Sequence, residues 1–179
     1  MLECALAIDE VTFGPHHPAV AVALARLAAL LCDLGHVLEA QPLLERALAI
    51  DEATYGPDHP AVATTLWNLA QVTALGRPAE ARPMLERALA ITEAVYGPEH
   101  PMVESRLASL AMVLYDTGQA VLAQPMLERA LAITEAVHGP NHPRICAGLS
   151  NLALVLNAVG KADEAARMFD RALTLAHRR

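Results

Sequence analysis

The sequence predicts an all-α solenoid, a stack of antiparallel helix pairs with no single central core. Three observations carry that prediction. The phrase Gly-Pro-x-His-Pro occurs four times, at 14–18, 56–60, 97–101 and 139–143. Its glycines lie 42, 41 and 42 residues apart, and self-similarity at a fixed period marks a repeat array. Between the phrases, apolar residues fall at helical spacing in two runs per period, and a lone helical hairpin cannot hide both apolar stripes. The copies are also close: residues 84–103 and 126–145 agree at 16 of 20 positions, as recent duplication or a consensus-built sequence would give.

The chain opens inside a repeat. Residues 1–18 read MLECALAIDEVTFGPHHP against LLERALAIDEATYGPDHP at 43–60, so 1–14 is a half repeat holding a second helix only. Repeats then occupy 15–56, 57–97 and 98–139, and a further one, 140–179, ends before the next phrase. In the clearest repeat the first helix is expected over about 60–74, from the stripe Val62, Leu66, Leu69, Ala70 and Thr73. The second is expected over about 78–95, from Ala81, Leu85, Ala88, Leu89 and Ile91. At 1.5 Å per residue, such helices are rods of roughly 22 Å.

The repeated phrase reads as a stop-and-restart signal. Gly56 follows a second helix, where a left-handed residue is wanted and glycine takes it without strain. Pro57 prevents the helix from continuing. Pro60 suits the first turn of the next helix, where an N–H would have no partner. His59 is biased toward extended geometry by the proline after it. Gly35, Gly76, Gly118 and Gly160 are expected to close the hairpins in the same left-handed way. Gly56 to Gly76 spans 20 residues where the other repeats span 21, so one residue is lost within 71–75, from either the loop or the helix. Pro42, Pro83 and Pro125 each lie seven residues past a loop glycine. Each either kinks a helix interior or, if the helix starts late, falls in its first turn. Arg167 takes this place in the last repeat, whose second helix should run straighter. The closing His177-Arg178-Arg179 puts positive charge at a helix C-terminus, where the macrodipole favours it.

Composition narrows the function. Apolar residues make up 54% of the chain but aromatics only 3%, so alanine and leucine supply the burial. The net charge of −7 argues against a nucleic-acid surface, which wants a basic stripe. Cys4, Cys32 and Cys146 form neither a CxxC pair nor an even set, so a reducing cytoplasm is expected rather than a disulfide framework or a zinc knuckle. Glu3, Asp9 and Glu10 come too early for a signal peptide. The most apolar stretch, 19–32, is 14 residues long and contains Arg26, short of the roughly 20 that a membrane span needs. No phosphate loop, Gly-x-Ser-x-Gly or His-Glu-x-x-His is present. The expectation is no enzyme, no cofactor, no nucleic-acid partner and no membrane partner.

Leu-Trp-Asn-Leu-Ala at 66–70, Leu-Ser-Asn-Leu-Ala at 149–153, and Leu-Glu-Arg-Ala-Leu at 44–48, 85–89 and 127–131 add further marks. Together with the Gly-Pro-x-His-Pro loops, they make the whole chain resemble tetratricopeptide repeats of the kinesin light chain type. Ordinary tetratricopeptide repeats run about 34 residues, and this subtype is the longer form of about 42. The resemblance implies a right-handed superhelix whose first helices line a concave groove for short extended peptides. It also implies that asparagines just before the Leu-Ala step clamp the peptide backbone. Those asparagines are Asn68 and Asn151; Arg26 and Ser109 stand at the same place in the other two repeats. Neighbouring groove places are Val22, Ala25 and Ala29; Thr64, Trp67 and Gln71; Ser105, Ala108, Met112 and Tyr115; and Ala147, Ser150, Leu154 and Asn157. Kinesin light chains favour partners with an aromatic amid acidic residues, and Arg26 and Arg106 are placed to answer such acids.

Two readings stay open for Trp67: an exposed groove anchor, or a side chain packed against the neighbouring first helix. His17, His59, His100 and His142 are expected to satisfy helix ends and not to bind metal. Equivalent histidines on stacked helix pairs would lie about 10 Å apart, whereas zinc ligands sit about 2 Å from one ion. The functional expectation is a non-enzymatic scaffold that receives a peptide or partner segment in the groove. The alternative is a self-assembling module, a homo-oligomer formed through terminal helices such as the bare half-hairpin carrying Leu2, Ala5, Leu6 and Ile8.

Overall fold

The computed structural model describes residues 2–177, with side chains from Leu6 onward. Arg178, Arg179 and the side chains of Leu2, Cys4 and Ala5, which carried expectations above, lie outside what it describes. Among the described residues all regular structure is helical. The helices are α1 (Leu2–Phe13), α2 (Pro18–Asp33), α3 (Val37–Tyr55), α4 (Pro60–Ala74), α5 (Pro78–Tyr96), α6 (Pro101–Asp116), α7 (Ala120–His138), α8 (Ile145–Ala158) and α9 (Ala162–Ala176). None is long and apolar enough to cross a membrane. The chain divides into two compact units, residues 1–91 and 92–179.

In the first unit α1 packs on α2, α2 on α3, and α3 on α4. Its core is a series of small clusters, one per helix junction. Val20, Ala21 and Leu24 of α2 meet Ala47 and Ile50 of α3. Ala28, Ala40 and Leu44 meet Leu69 and Val72 of α4. Val62, Ala63 and Leu66 meet Ala88 and Ile91 of α5. Alanines recur at each junction because a small side chain lets the helix backbones approach. The expected stripe residues Val62, Leu66, Leu69, Ala70 and Thr73 are all buried, and each fully buried leucine is worth about 1.5–3 kcal/mol. In the second unit α6 packs on α7, α7 on α8, and α8 on α9. There Leu107, Leu110, Leu114, Leu127, Ile133, Ile145 and Leu149 are buried.

The arginine of Leu-Glu-Arg-Ala-Leu, with its counterpart Arg171 in the Phe-Asp-Arg-Ala-Leu of 169–173, proves to be the part that ties one hairpin to the one before it. Arg46, Arg87, Arg129 and Arg171 each pair with a glutamate one repeat back, Glu10, Glu52, Glu93 and Glu135, at 2.6 Å. The same guanidinium donates to the carbonyl of Pro15, Pro57, Pro98 or Pro140 at 2.5–3.0 Å. His17, His59 and His100 cap helices as expected. His17, His59 and His100 are extended, with ψ of 142–146°. In all four phrases histidine Nδ1 accepts the backbone N–H two residues on, at 3.2 Å. Each ring also stacks on the residue four before it, Phe13, Tyr55, Tyr96 or His138, with centroids 4.4–4.9 Å apart. That stack was not read from the sequence, although an aromatic or histidine before each phrase glycine was its signal.

Two expectations need correction, and one alternative left open is decided. Gly56 has the positive φ predicted, 86°, but its ψ of 165° is extended and not left-handed helical; this region is open essentially to glycine alone. Gly76 does not share the positive φ of Gly35, Gly118 and Gly160. In those three loops an N–H reaches back five residues to close the turn, His36 to Leu31, Gln119 to Leu114 and Lys161 to Leu156. In the shortened repeat Arg77 N–H reaches back only four, to Thr73 at 2.8 Å, so the missing residue has removed the position that needed left-handed backbone. Finally, the proline-bearing helices do not start late. They begin at Val37, Pro78 and Ala120, which places Pro42, Pro83 and Pro125 inside them.

Candidate functional site

The first helices α2 and α4 lie side by side in the first unit and leave one face open. Residues i, i+3 and i+4 share a helix face, which puts Val22, Ala25, Arg26 and Ala29 on that face of α2, and Thr64, Trp67, Asn68 and Gln71 on that of α4. The structure gathers them into a trough. A cavity of about 460 Å³ is lined by Val22, Ala25, Arg26 and Ala29 against Thr64 and Asn68, with Asp51 and Tyr55 of α3 beneath. A second cavity of about 240 Å³ shares Ala25, Ala29 and Asn68 with the first and adds Trp67, Gln71, Cys32 and Asp33. The alanines are what open this space, since larger side chains on α2 would fill it.

Polar groups in the trough differ in what is left for a ligand. Arg26 is exposed and makes no ion pair among the described residues. The Asn68 amide, half-buried at the join of the two cavities, makes no side-chain bond within the chain among the described residues. The Thr64 hydroxyl is spent on its own helix, donating to the Pro60 carbonyl at 3.1 Å. Trp67 is half-buried. It packs against the cluster of Val62, Leu66, Ala88 and Ile91 and also lines the smaller cavity.

Asp51 was not read from the sequence as part of this site. It is buried and accepts a 2.6 Å hydrogen bond from the Thr65 hydroxyl. Burial pushes its carboxyl up, while the Thr65 bond and the nearby His59 pull the other way. Its signal was variation at one repeat position, which holds Asp9, Asp51, Thr92 and Thr134. Burial, then the Asp33 charge, pushes the Cys32 thiol up, which disfavours the thiolate there.

The second unit treats its expected residues differently. Ser109, Met112, Tyr115 and Asn151 are half-buried, and Leu154 and Asn157 are exposed. Ser109 donates to the Ser105 carbonyl at 2.9 Å. Arg106 corrects the sequence reading. It is only 4% exposed, on the face of α6 shared with Val103 and Leu107, and so does not present its charge to a groove. Burial pulls its guanidinium below the ordinary range. Its place in the repeat is that of Thr65, a buried position, which the stripe spacing already implied.

A family model, tetratricopeptide repeat, matches residues 1–52, 21–94 and 103–177. Among solved structures, the chain is similar to a kinesin light chain-like protein of nearly identical TPR-like repeats from Podosopora anserina. Identity is 29% over 99% of this chain and 84% of that one, with a TM-score of 0.81. It is 26% identical to BtubC (BKLC) from P. vanneervenii, over 98% of this chain and 70% of that one, with a TM-score of 0.87. MamA, 19% identical with a TM-score of 0.65 over 99% of this chain and 85% of that one, shares the fold alone. No curated protein matches the chain.

Proposed function

This chain belongs to the tetratricopeptide repeat family, and on that premise we propose that it is a non-enzymatic scaffold binding an extended segment of a partner protein. The proposed repeats are the half repeat 1–14 followed by 15–56, 57–97, 98–139 and 140–179. The reading includes a reducing cytoplasm as location, in keeping with the scattered cysteines. The observation that carries it is the trough between α2 and α4, two joined cavities of about 460 and 240 Å³. Small apolar walls admit side chains there, the Asn68 amide offers both a donor and an acceptor to a peptide group, and Arg26 favours an acidic residue nearby. Trp67 and Gln71 extend the same surface. Ser109, Met112, Tyr115, Asn151, Leu154 and Asn157 are the proposed continuation in the later repeats.

The test is a peptide-library selection on the purified chain, with the selected peptides titrated against Asn68→Ala, Arg26→Ala and Trp67→Ala. Asn68→Ala is expected to weaken binding about tenfold, a loss of roughly 1.4 kcal/mol, with an unchanged melting temperature. Selected peptides that bind all three variants as tightly as the parent would sink the reading. A second reading, self-assembly, has its own support. α1 leaves Ile8, Val11 and Phe13 exposed, and α9 leaves Phe169 and Leu173 exposed. Light scattering over a dilution series separates the two, because a monomer at every concentration rules out self-assembly.

A further inference from the structure

Beyond that reading, we infer that the second unit carries a small-ligand site. The cleft between Glu104, His138 and Arg144 takes a zwitterionic α-amino-acid headgroup, its ammonium on Glu104 and its carboxylate on Arg144. The cleft has a volume of about 240 Å³, with Ile133, Thr134 and Val137 of α7 as its floor. Its three charged or titratable residues are all departures from the repeat. The place of Glu104 holds Ala21, Ala63 and Cys146 in the other repeats; that of His138 holds Phe13, Tyr55 and Tyr96; that of Arg144 holds Ala19, Ala61 and Met102. Structural parts of this chain recur at every period, as the arginine pairings and the histidine Nδ1 bonds do. Independent substitutions that converge on one cleft are a different kind of feature.

The geometry leaves neither charge in an ion pair among the described residues. Arg144 Nη1 lies 3.3 Å from His138 Nε2. An arginine nitrogen can only donate, so that ring nitrogen is the acceptor and the imidazole is neutral. His138 is held from its other side by the stack on His142, with centroids 4.9 Å apart. The His142 Nδ1 in turn accepts the backbone N–H of Arg144 at 3.2 Å. The guanidinium is therefore oriented by a neutral partner that cancels none of its charge. Glu104 is half-buried, and its carboxylate makes no hydrogen bond or ion pair among the described residues. Burial pushes its carboxyl up, and Arg144 acts on it only as a charge that pulls it back down. Glu135, on the same helix as His138, is already engaged by Arg171 at 2.6 Å.

Two opposite charges that face one cleft without pairing select the ligand. A simple cation meets Arg144, and a simple anion meets Glu104, so each is repelled by one wall. A neutral amide reaches both walls but answers neither full charge. An ammonium and a carboxylate on one carbon answer both. The space is smaller than the roughly 300–1,000 Å³ of drug-sized pockets, and the Ile133–Val137 floor suits a short aliphatic side chain.

The test uses the full chain and nuclear magnetic resonance titrations with glycine, L-alanine, methylamine, acetate and acetamide. Glycine and L-alanine are expected to give saturable shifts at the amides of Glu104, Thr134, His138 and Arg144, in the millimolar range. The three singly functional compounds are expected to bind at least about tenfold more weakly. Glu104→Gln and Arg144→Gln should each weaken L-alanine binding by about tenfold or more, as loss of a charge-assisted bond does. Acetamide binding as tightly as glycine overturns the proposal, as does an absence of saturable shifts with either amino acid. The ligand comparison on the unaltered chain stands whether or not the variants fold, and circular dichroism melts report on the variants.

Discussion

Asp51 shows how one buried side chain couples stability to pH. Its carboxyl and that of Glu104 are pushed up by burial. A carboxyl with a raised folded-state value contributes stability that is fully present below its unfolded value and lost as pH rises through the folded value. At neutral pH, then, the buried Asp51 charge costs stability. Asp51→Asn keeps an acceptor for Thr65 and removes the charge, so its melting temperature at pH 7 should exceed that of the parent, with the gap closing as the buffer is acidified. Asp51→Ala instead leaves the Thr65 hydroxyl buried without that bond and should cost about 1–3 kcal/mol by urea unfolding. His138 runs the other way. Loss of hydration, then Arg144 and His142, push it below its ordinary 6.5. A depressed value contributes stability present above the unfolded value and lost as pH falls. His138→Tyr, which installs the residue found at Tyr55 and Tyr96, should keep the ring stack and abolish that acid loss in melts recorded from pH 7 to pH 5.

At the scale of the element, the hairpin loops give an opposed pair of predictions. Gly118 has φ of +77°, where a Cβ meets the backbone, so Gly118→Ala should cost about 1 kcal/mol or more. Gly76 is not in that region, and nothing lies within 4 Å of a Cβ built on it. Gly76→Ala should therefore be neutral or stabilising by about 0.4–1 kcal/mol, through loss of unfolded-chain freedom. Urea titrations of the two variants check the pair, and equal effects would contradict the loop assignment. Helix positions were legible because the 3.6-residue stripe dictates them: α4 spans Pro60–Ala74 as the stripe implies. The loop at Gly76 was not legible, because a one-residue deletion changes which residue must be left-handed, and composition does not record that.

At the scale of the whole molecule, what joins the helices is local in sequence. In residues 1–97 the pairings Arg46–Glu10 and Arg87–Glu52 and the three clusters from Val20 to Ile91 all join residues of that stretch. Stability in such arrays is close to a sum of repeat and nearest-neighbour terms. The fragment 1–97, cut at a phrase glycine, should thus remain helical and unfold cooperatively, with a urea m-value reduced in proportion to the surface it buries. A fragment without cooperative unfolding would show that these junctions do not suffice. The pairing itself is tested by Arg87→Ala, which should cost on the order of 1–2 kcal/mol, more than an isolated surface pair, because the guanidinium also holds the Pro57 carbonyl.

The repeat period, the helices and the buried stripes were determined by the sequence alone, because each follows from short-range spacing of apolar residues, glycine and proline. The trough and the cleft were decided only by the tertiary structure. Arg26 and Asn68 stand in different helices, as do Glu104 and His138, and chain spacing does not say which side chains face the same space. Arg106 marks the limit most plainly. Its chemistry suits a binding surface, but a rotation of one position around α6 turns it into the core.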